Sequence, residues 1–215
     1  MNAHDALIFD LDGTLVDSLD DIAAALNHAL ATLGLPKANA QSVRRWIGDG
    51  LPELCRRALP NERQNELNEL ISLSRLRYES HCADQTRLYP NVLKTLDLLR
   101  DREVPMSVLS NKPHALTQLV LEALDIDCYF ISARGSLSDE DRKPSPKSAL
   151  EIASVMGCAA ASTCLIGDSP VDVQTARNAG MISVAVTWGF RDREELKMAG
   201  PDHLIDDPEK ILSLV

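Results

Sequence analysis

The chain has 215 residues, 45% of them hydrophobic and 25% charged, a length and composition suited to one large globular domain or a core with a smaller insert. Its formal charge of −10 argues against nucleic acid, whose phosphates call for clustered Lys and Arg. No apolar run approaches the roughly 18 residues needed to span a bilayer, so no membrane partner is expected.

Met1-Asn2-Ala3-His4-Asp5 has no basic region ahead of an apolar one and does not read as a signal peptide. Cys55, Cys82, Cys128, Cys158 and Cys164 are scattered, without a C-x-x-C pair. They read as reduced thiols of a cytoplasmic protein rather than a disulfide framework or zinc site.

Ala6-Leu7-Ile8-Phe9 runs straight into Asp10-Leu11-Asp12-Gly13-Thr14. A short unbroken apolar run ending in a turn suits a strand buried on both faces of a parallel sheet. Residues two apart on a strand share a side, which groups Asp10 with Asp12 where the strand ends. That is where open α/β sheets bind their ligands. The plainer reading is a strand closed by a polar turn.

Ser18 followed by Asp21 has the spacing of a capping box, and Ile22, Leu26, Ala29, Leu30 and Leu33 then share one helical face up to Gly34. Further helical stretches near 40–46, 51–59 and 62–82 follow, with no convincing strand over 17–82. Residues 15–88 hold 9 Lys/Arg against 10 Asp/Glu, a net of −1, whereas the remainder holds 13 against 22, a net of −9. This segment reads as a small all-helical unit inserted in a core formed by residues 1–14 and 89–215.

Beyond Leu88 the pattern alternates. A helix over about 91–102 leads to a strand over Val104–Leu109, the polar Ser110-Asn111-Lys112-Pro113, and a helix to about 125. A short strand is expected over Tyr129–Ala133. Lys143-Pro144-Ser145-Pro146 opens a helix with Ser145 as cap and Pro146 at its first position. Thr163–Ile166 is a strand, 170–179 a helix ended by Gly180, Met181–Val186 a strand, and His203–Ile205 the last. Alternating strands and helices predict an α/β fold with a doubly wound, Rossmann-like parallel sheet. Neither G-x-G-x-x-G nor G-x-x-x-x-G-K-[ST] is present, so nucleotide binding lacks its usual signatures.

Strand ends thus offer Asp10/Asp12, Ser110/Asn111, Lys143 after a loop, and Asp168/Asp172. The order D-L-D-G-T-L-V, Ser-Asn, Lys-Pro and G-D-S-x-x-D resembles the haloacid dehalogenase-like phosphatases, over essentially the whole chain. The helical insertion resembles that superfamily's cap domain. Trp46-Ile47-Gly48-Asp49-Gly50 and Ser110-Asn111-Lys112-Pro113 look most like its phosphoglycolate phosphatase group.

The resemblance implies a magnesium-dependent phosphatase of small phosphorylated metabolites, most of all 2-phosphoglycolate, acting through an aspartyl-phosphate. Asp10 is implied as nucleophile and Asp12 as general acid and base. Thr14, Ser110 and Asn111 are implied at the phosphoryl oxygens, with Lys143 neutralising charge. Magnesium prefers hard oxygen ligands; Asp10, the Asp12 backbone carbonyl and Asp168 are implied to hold it. Asp172 either supports the metal ligands from behind or caps its helix, roles that are compatible. Gly48, Asp49 and Gly50 are implied over the active site, where substrates are read. Arg44 and Arg45 nearby serve equally well as a solvated helix end, Trp46 and Trp188 as packing residues, and the five dispersed histidines suggest no triad. A sugar-phosphate phosphatase, a β-phosphoglucomutase-like phosphomutase, and a non-enzymatic domain phosphorylated on aspartate remain as alternatives. The sequence leaves monomer and homodimer both open.

Overall fold

A computed structural model describes residues 4–215; Met1–Ala3, the start of the amino-terminal stretch read above, lie outside the described residues. Strand β1 (Ala6–Phe9) is followed by the two-residue β2 (Val16–Asp17), then helices α1 (Leu19–Thr32), α2 (Ala40–Trp46), α3 (Leu51–Ala58) and α4 (Leu67–His81), and β3 (Arg87–Leu88). The alternating part comprises α5 (Val92–Asp101), β4 (Met106–Pro113), α6 (His114–Ala123), β5 (Ser132–Ser136), α7 (Lys147–Met156), β6 (Thr163–Gly167), α8 (Pro170–Ala179), β7 (Ile182–Val186), α9 (Arg193–Ala199) and β8 (His203–Ile205).

Six strands form one parallel sheet in the order β5-β4-β1-β6-β7-β8. β1 lies inside it, pairing Leu7 with Met106 of β4 and with Cys164 of β6. Successive side chains go to opposite faces. Leu7 and Phe9 accordingly join Leu96 and Leu99 of α5 and Leu116 and Val120 of α6, while Ile8 packs with Ala149 and Ile152 of α7 and Ala176 of α8. One unbroken apolar tetrapeptide thereby holds helices on both faces, which is the predicted doubly wound architecture.

The helices between β2 and β3 share an apolar cluster including Leu26, Leu30, Val43, Leu54 and Leu70. Phe190, from the loop after β7, belongs to the same cluster. β2 and β3 pair antiparallel, Val16 with Leu88 and Asp17 with Arg87, so the chain enters and leaves the helical segment through one two-stranded ribbon. The sequence pattern did not reveal this ribbon, because two residues are too few to show a period.

Several local expectations change. The Ser18–Asp21 capping box does not form: Ser18 makes no side-chain cap bond and its hydroxyl instead donates to Asp12 Oδ1 at 2.6 Å. Asp21 is buried and accepts from the backbone N–H groups of Gln85 and Thr86 and from the Thr86 hydroxyl, tying the chain's exit from the segment to its start. α7 begins at Lys147 rather than at Pro146, since Ser145 is used in a turn on Arg142 O. β5 lies three residues later than expected. Tyr129 sits in a short 3-10 turn, donating its hydroxyl to Asp97 at 2.7 Å, so its bulk packs against the core instead of extending a strand. β4 continues through Ser110-Asn111-Lys112-Pro113, with a register shift against β5 between Leu109 and Pro113. The polar stretch expected to follow the strand is therefore part of it.

Among the described residues no helix is long and apolar enough to cross a membrane. All five cysteines are free, with Cys55, Cys82 and Cys164 buried.

Candidate active site

The polar residues predicted from the sequence converge at the carboxyl ends of β1, β4 and β6. β1 ends at Phe9, leaving Asp10 as the next residue, 6% exposed. Lys143 Nζ lies 2.8 Å from Asp10 Oδ1 and 2.6 Å from Asp172 Oδ1. Burial opposes the charge of Lys143, but Asp10 and Asp172 hold it above the ordinary lysine range. Asp168, just beyond β6, accepts the Phe190 backbone N–H at 2.6 Å.

Asp10, Asp168 and Asp172 are all buried, each with a carboxylate oxygen within 4.8 Å of the others. Burial pushes Asp10 up to about 7 despite Lys143. It pushes Asp168 up to about 8, with Asp10 and Asp172 adding repulsion. One ammonium does not balance three carboxylates. The chain also keeps the space around them clear: a Cβ on Gly13, at φ +87°, would lie 2.3 Å from Asp168 Oδ2, and one on Gly189 would lie 2.5 Å from the same atom. A concentrated, buried, all-oxygen donor set fits a hard divalent cation such as magnesium.

Asp172 accepts from both the backbone N–H and the hydroxyl of Ser169, a complete capping box on α8. It simultaneously holds Lys143, so the cap and the support of the acidic cluster are one arrangement.

Asp12 lines a cleft between the sheet and the helical segment. Asp10, Ser110, Asn111, Gly48 and Gly50 share its lining with apolar side chains of the helical segment, among them Ile22, Leu26, Ile47 and Leu54. Ser110 Oγ accepts the Lys112 backbone N–H at 3.2 Å. The Asn111 side chain accepts from Lys143 N at 2.8 Å and donates to Lys143 O and Gly48 O at 3.1 and 3.0 Å. It thus ties the lysine loop to the glycine turn of the helical segment, which occupies its side chain.

Two expected site residues lie elsewhere. Thr14 lines a separate small cavity with Leu15, Thr95 and Trp188, and its buried hydroxyl has no hydrogen-bond partner among the described residues. Asp49 pairs with Arg57 at 2.6 Å and lines an outer polar cleft. Gly48 and Gly50 line the cleft that holds Asp10 and Asp12, while the aspartate between them does not.

Three further features escaped the sequence reading. Lys112 Nζ sits 2.9 Å from both oxygens of Asp12 and 4.5 Å from the Tyr78 ring centroid. Arg44 donates to Gly189 O at 2.6 Å and Phe190 O at 3.0 Å, and Arg191 returns two donations to Arg44 O and Ile47 O. Phe190 inserts its ring into the apolar cluster of the helical segment. The loop whose backbone holds Asp168 is therefore clasped from that segment. A lysine two places after a strand-end serine was the available signal for Lys112; the arginine clasp left none.

A family profile described as "Haloacid dehalogenase-like hydrolase" matches residues 7–186. The "Phosphoglycolate phosphatase" of Haemophilus influenzae (strain ATCC 51907 / DSM 11121 / KW20 / Rd) is 34% identical over 224 residues, covering 100% of both chains. The protein of that name from Escherichia coli (strain K12) is 35% identical over 90% of this chain and 85% of its own. A solved structure described as "a predicted phosphoglycolate phosphatase from haemophilus somnus 129pt" superposes with a TM-score of 0.91 at 32% identity, over 100% of this chain and 99% of that one. With the family profile spanning most of its length and relatives of this identity over nearly all of it, the chain belongs to the haloacid dehalogenase-like hydrolases.

Proposed function

We propose that this hydrolase is a magnesium-dependent phosphatase of small phosphate monoesters, with 2-phosphoglycolate among its best substrates. It would act in the cytoplasm as a monomer or homodimer. The carrying observation is that Asp10, paired with Lys143 at 2.8 Å, and Asp12 border the same cleft. The names borne by the similar bacterial proteins support the substrate assignment, and five free cysteines accord with a reducing compartment.

An Asp10 carboxylate oxygen attacks phosphorus while the bond to the leaving oxygen breaks, and Asp12 gives that oxygen its proton. The aspartyl-phosphate is then attacked by water, whose proton returns to Asp12, releasing phosphate and restoring Asp10. Asp10, the Asp12 backbone carbonyl and Asp168 would hold magnesium, which supplies charge neutralisation for the phosphoryl oxygens. Lys143 neutralises Asp10 from the other side, and the Ser110 hydroxyl with the Asn111 N–H receives a phosphoryl oxygen. In this reading residues 15–88 form a cap that excludes bulk water when closed over the cleft.

Hydrolysis of 2-phosphoglycolate with magnesium, with chelator, and by Asp10→Asn tests the proposal. Turnover should require magnesium and vanish in a still-folded Asp10→Asn. Full activity in chelator would remove the metal from the reading, and near wild-type turnover by the variant would remove Asp10.

A further inference from the structure

Lys112 is the one lysine or arginine on the cleft lining, because Lys143 is enclosed between Asp10 and Asp172. Its ammonium is 5% exposed and hydrogen-bonds to a single residue among those described, Asp12. An ammonium has three donors to place. Beside it stands Tyr78, 5% exposed and also on the cleft lining, whose buried hydroxyl has no hydrogen-bond partner among the described residues. A buried polar hydroxyl without a partner calls for an explanation, and one beside an ammonium with a donor to spare can join it in holding an anionic group. Most other lining contributed by the helical segment is apolar.

Taking the phosphatase reading as its basis, we propose that Lys112 and Tyr78 receive a carboxylate carried on the leaving group. The pair thereby selects small phosphate monoesters of hydroxy acids over esters of neutral alcohols. Catalytic carboxylates and phosphate-binding groups handle the phosphoryl end, and this pair handles the opposite end of the same short molecule. Tyr78 comes from α4 and Lys112 from β4, so the site is complete only when the helical segment lies against the sheet.

The test measures kcat and KM for 2-phosphoglycolate and for ethyl phosphate, which has the same two carbons without the carboxylate. Wild type should favour the carboxylate ester. Lys112→Met should lower kcat/KM for 2-phosphoglycolate roughly 30-fold more than for ethyl phosphate, the size expected when one partner of a buried charge pair is lost. The selective part should fall mainly on KM, with Lys112→Arg recovering part of it. Tyr78→Phe, which removes one oxygen, should shift the same ratio in the same direction by a smaller factor. Equal losses on both substrates in Lys112→Met and in Tyr78→Phe would overturn the proposal, leaving Lys112 a positioning partner of Asp12. A wild type that hydrolyses both esters but prefers ethyl phosphate also overturns it, without touching the phosphatase reading. A wild type that hydrolyses neither overturns both.

Discussion

The buried acidic cluster makes the metal-free protein pH-sensitive in a direction opposite to that of ordinary paired carboxylates. Burial raises Asp10 from 3.8 to about 7 and Asp168 from 3.8 to about 8. In the unfolded chain both are ionised above pH 5, whereas in the folded chain each tends to keep its proton. The folded state therefore binds more protons, and stability falls as pH rises. The contribution is complete below about pH 4 and is lost progressively up to the folded-state values near 7 and 8.

One retained proton costs about 1.4 kcal/mol per pH unit, or about 3 kcal/mol between pH 5 and 7. The two groups share one site and repel each other, so one net proton is the conservative figure. For a chain of this size it corresponds to a fall in Tm of about 6–12 °C. The carboxyls held low by surface partners, Asp141, Asp202 and Asp206, lend stability above their unfolded values and lose it only as pH falls, outside this window. General repulsion in a chain of charge −10 acts in the same direction as the cluster, so Asp168→Asn is the control and should flatten the slope. Magnesium competes with protons for the same oxygens and should raise Tm little at pH 5 and by several degrees at pH 8. Thermal melts in chelator and in millimolar magnesium across pH 5–8 supply the measurement. A metal-free Tm that is flat or rising over this range would refute the reasoning.

Two further outcomes concern the helical segment. Gly50 sits at φ +87° and ψ 164°, a region nearly restricted to glycine and costing other residues about 1–3 kcal/mol, and its Cβ would come 3.2 Å from Asn111 O. Gly50→Val should therefore lower kcat/KM for 2-phosphoglycolate about tenfold or more, and less for a bulky aryl phosphate that reports phosphoryl chemistry; equal effects would remove the turn from substrate selection. Phe190→Ala vacates the site inside the segment's apolar cluster and should destabilise by about 3–5 kcal/mol, read as a fall in denaturation midpoint. A loss below about 1 kcal/mol would show that the ring contributes little to that cluster.

How much of this was legible in the chain differs by the range of the cause. β1 was legible because one apolar tetrapeptide buried on both faces leaves few alternatives, and Asp10 follows from where that strand stops. Helix α8 was equally plain, since its capping box and terminal Gly180 are local chemistry. The Ser18–Asp21 pair had the same local pattern and failed, because two distant groups outbid the helix end: Asp12 for the Ser18 hydroxyl and the Gln85–Thr86 backbone for the Asp21 carboxylate. The extension of β4 was hidden for a related reason. Ser-Asn-Lys-Pro has turn composition, which does not show that it continues β4 with a register shift against β5 between Leu109 and Pro113.

That extension bears on the site. With the strand expected to end at Leu109, Ser110 and Lys112 carry no fixed relation. In the structure Ser110, Asn111, Lys112 and Pro113 all line one cleft. The same extension sets Lys112 against Asp12, 100 residues away in sequence, and under Tyr78 of a helix that belongs to a different part of the chain. The groups proposed to handle the phosphoryl end are each announced by a local motif. The groups proposed to choose the leaving group are assembled from α4 and β4 by tertiary packing, which no spacing in the sequence records. On this proposal, specificity is less legible than chemistry because it is built across the boundary between the sheet and the helical segment, where the partners Lys112 and Tyr78 are remote in sequence.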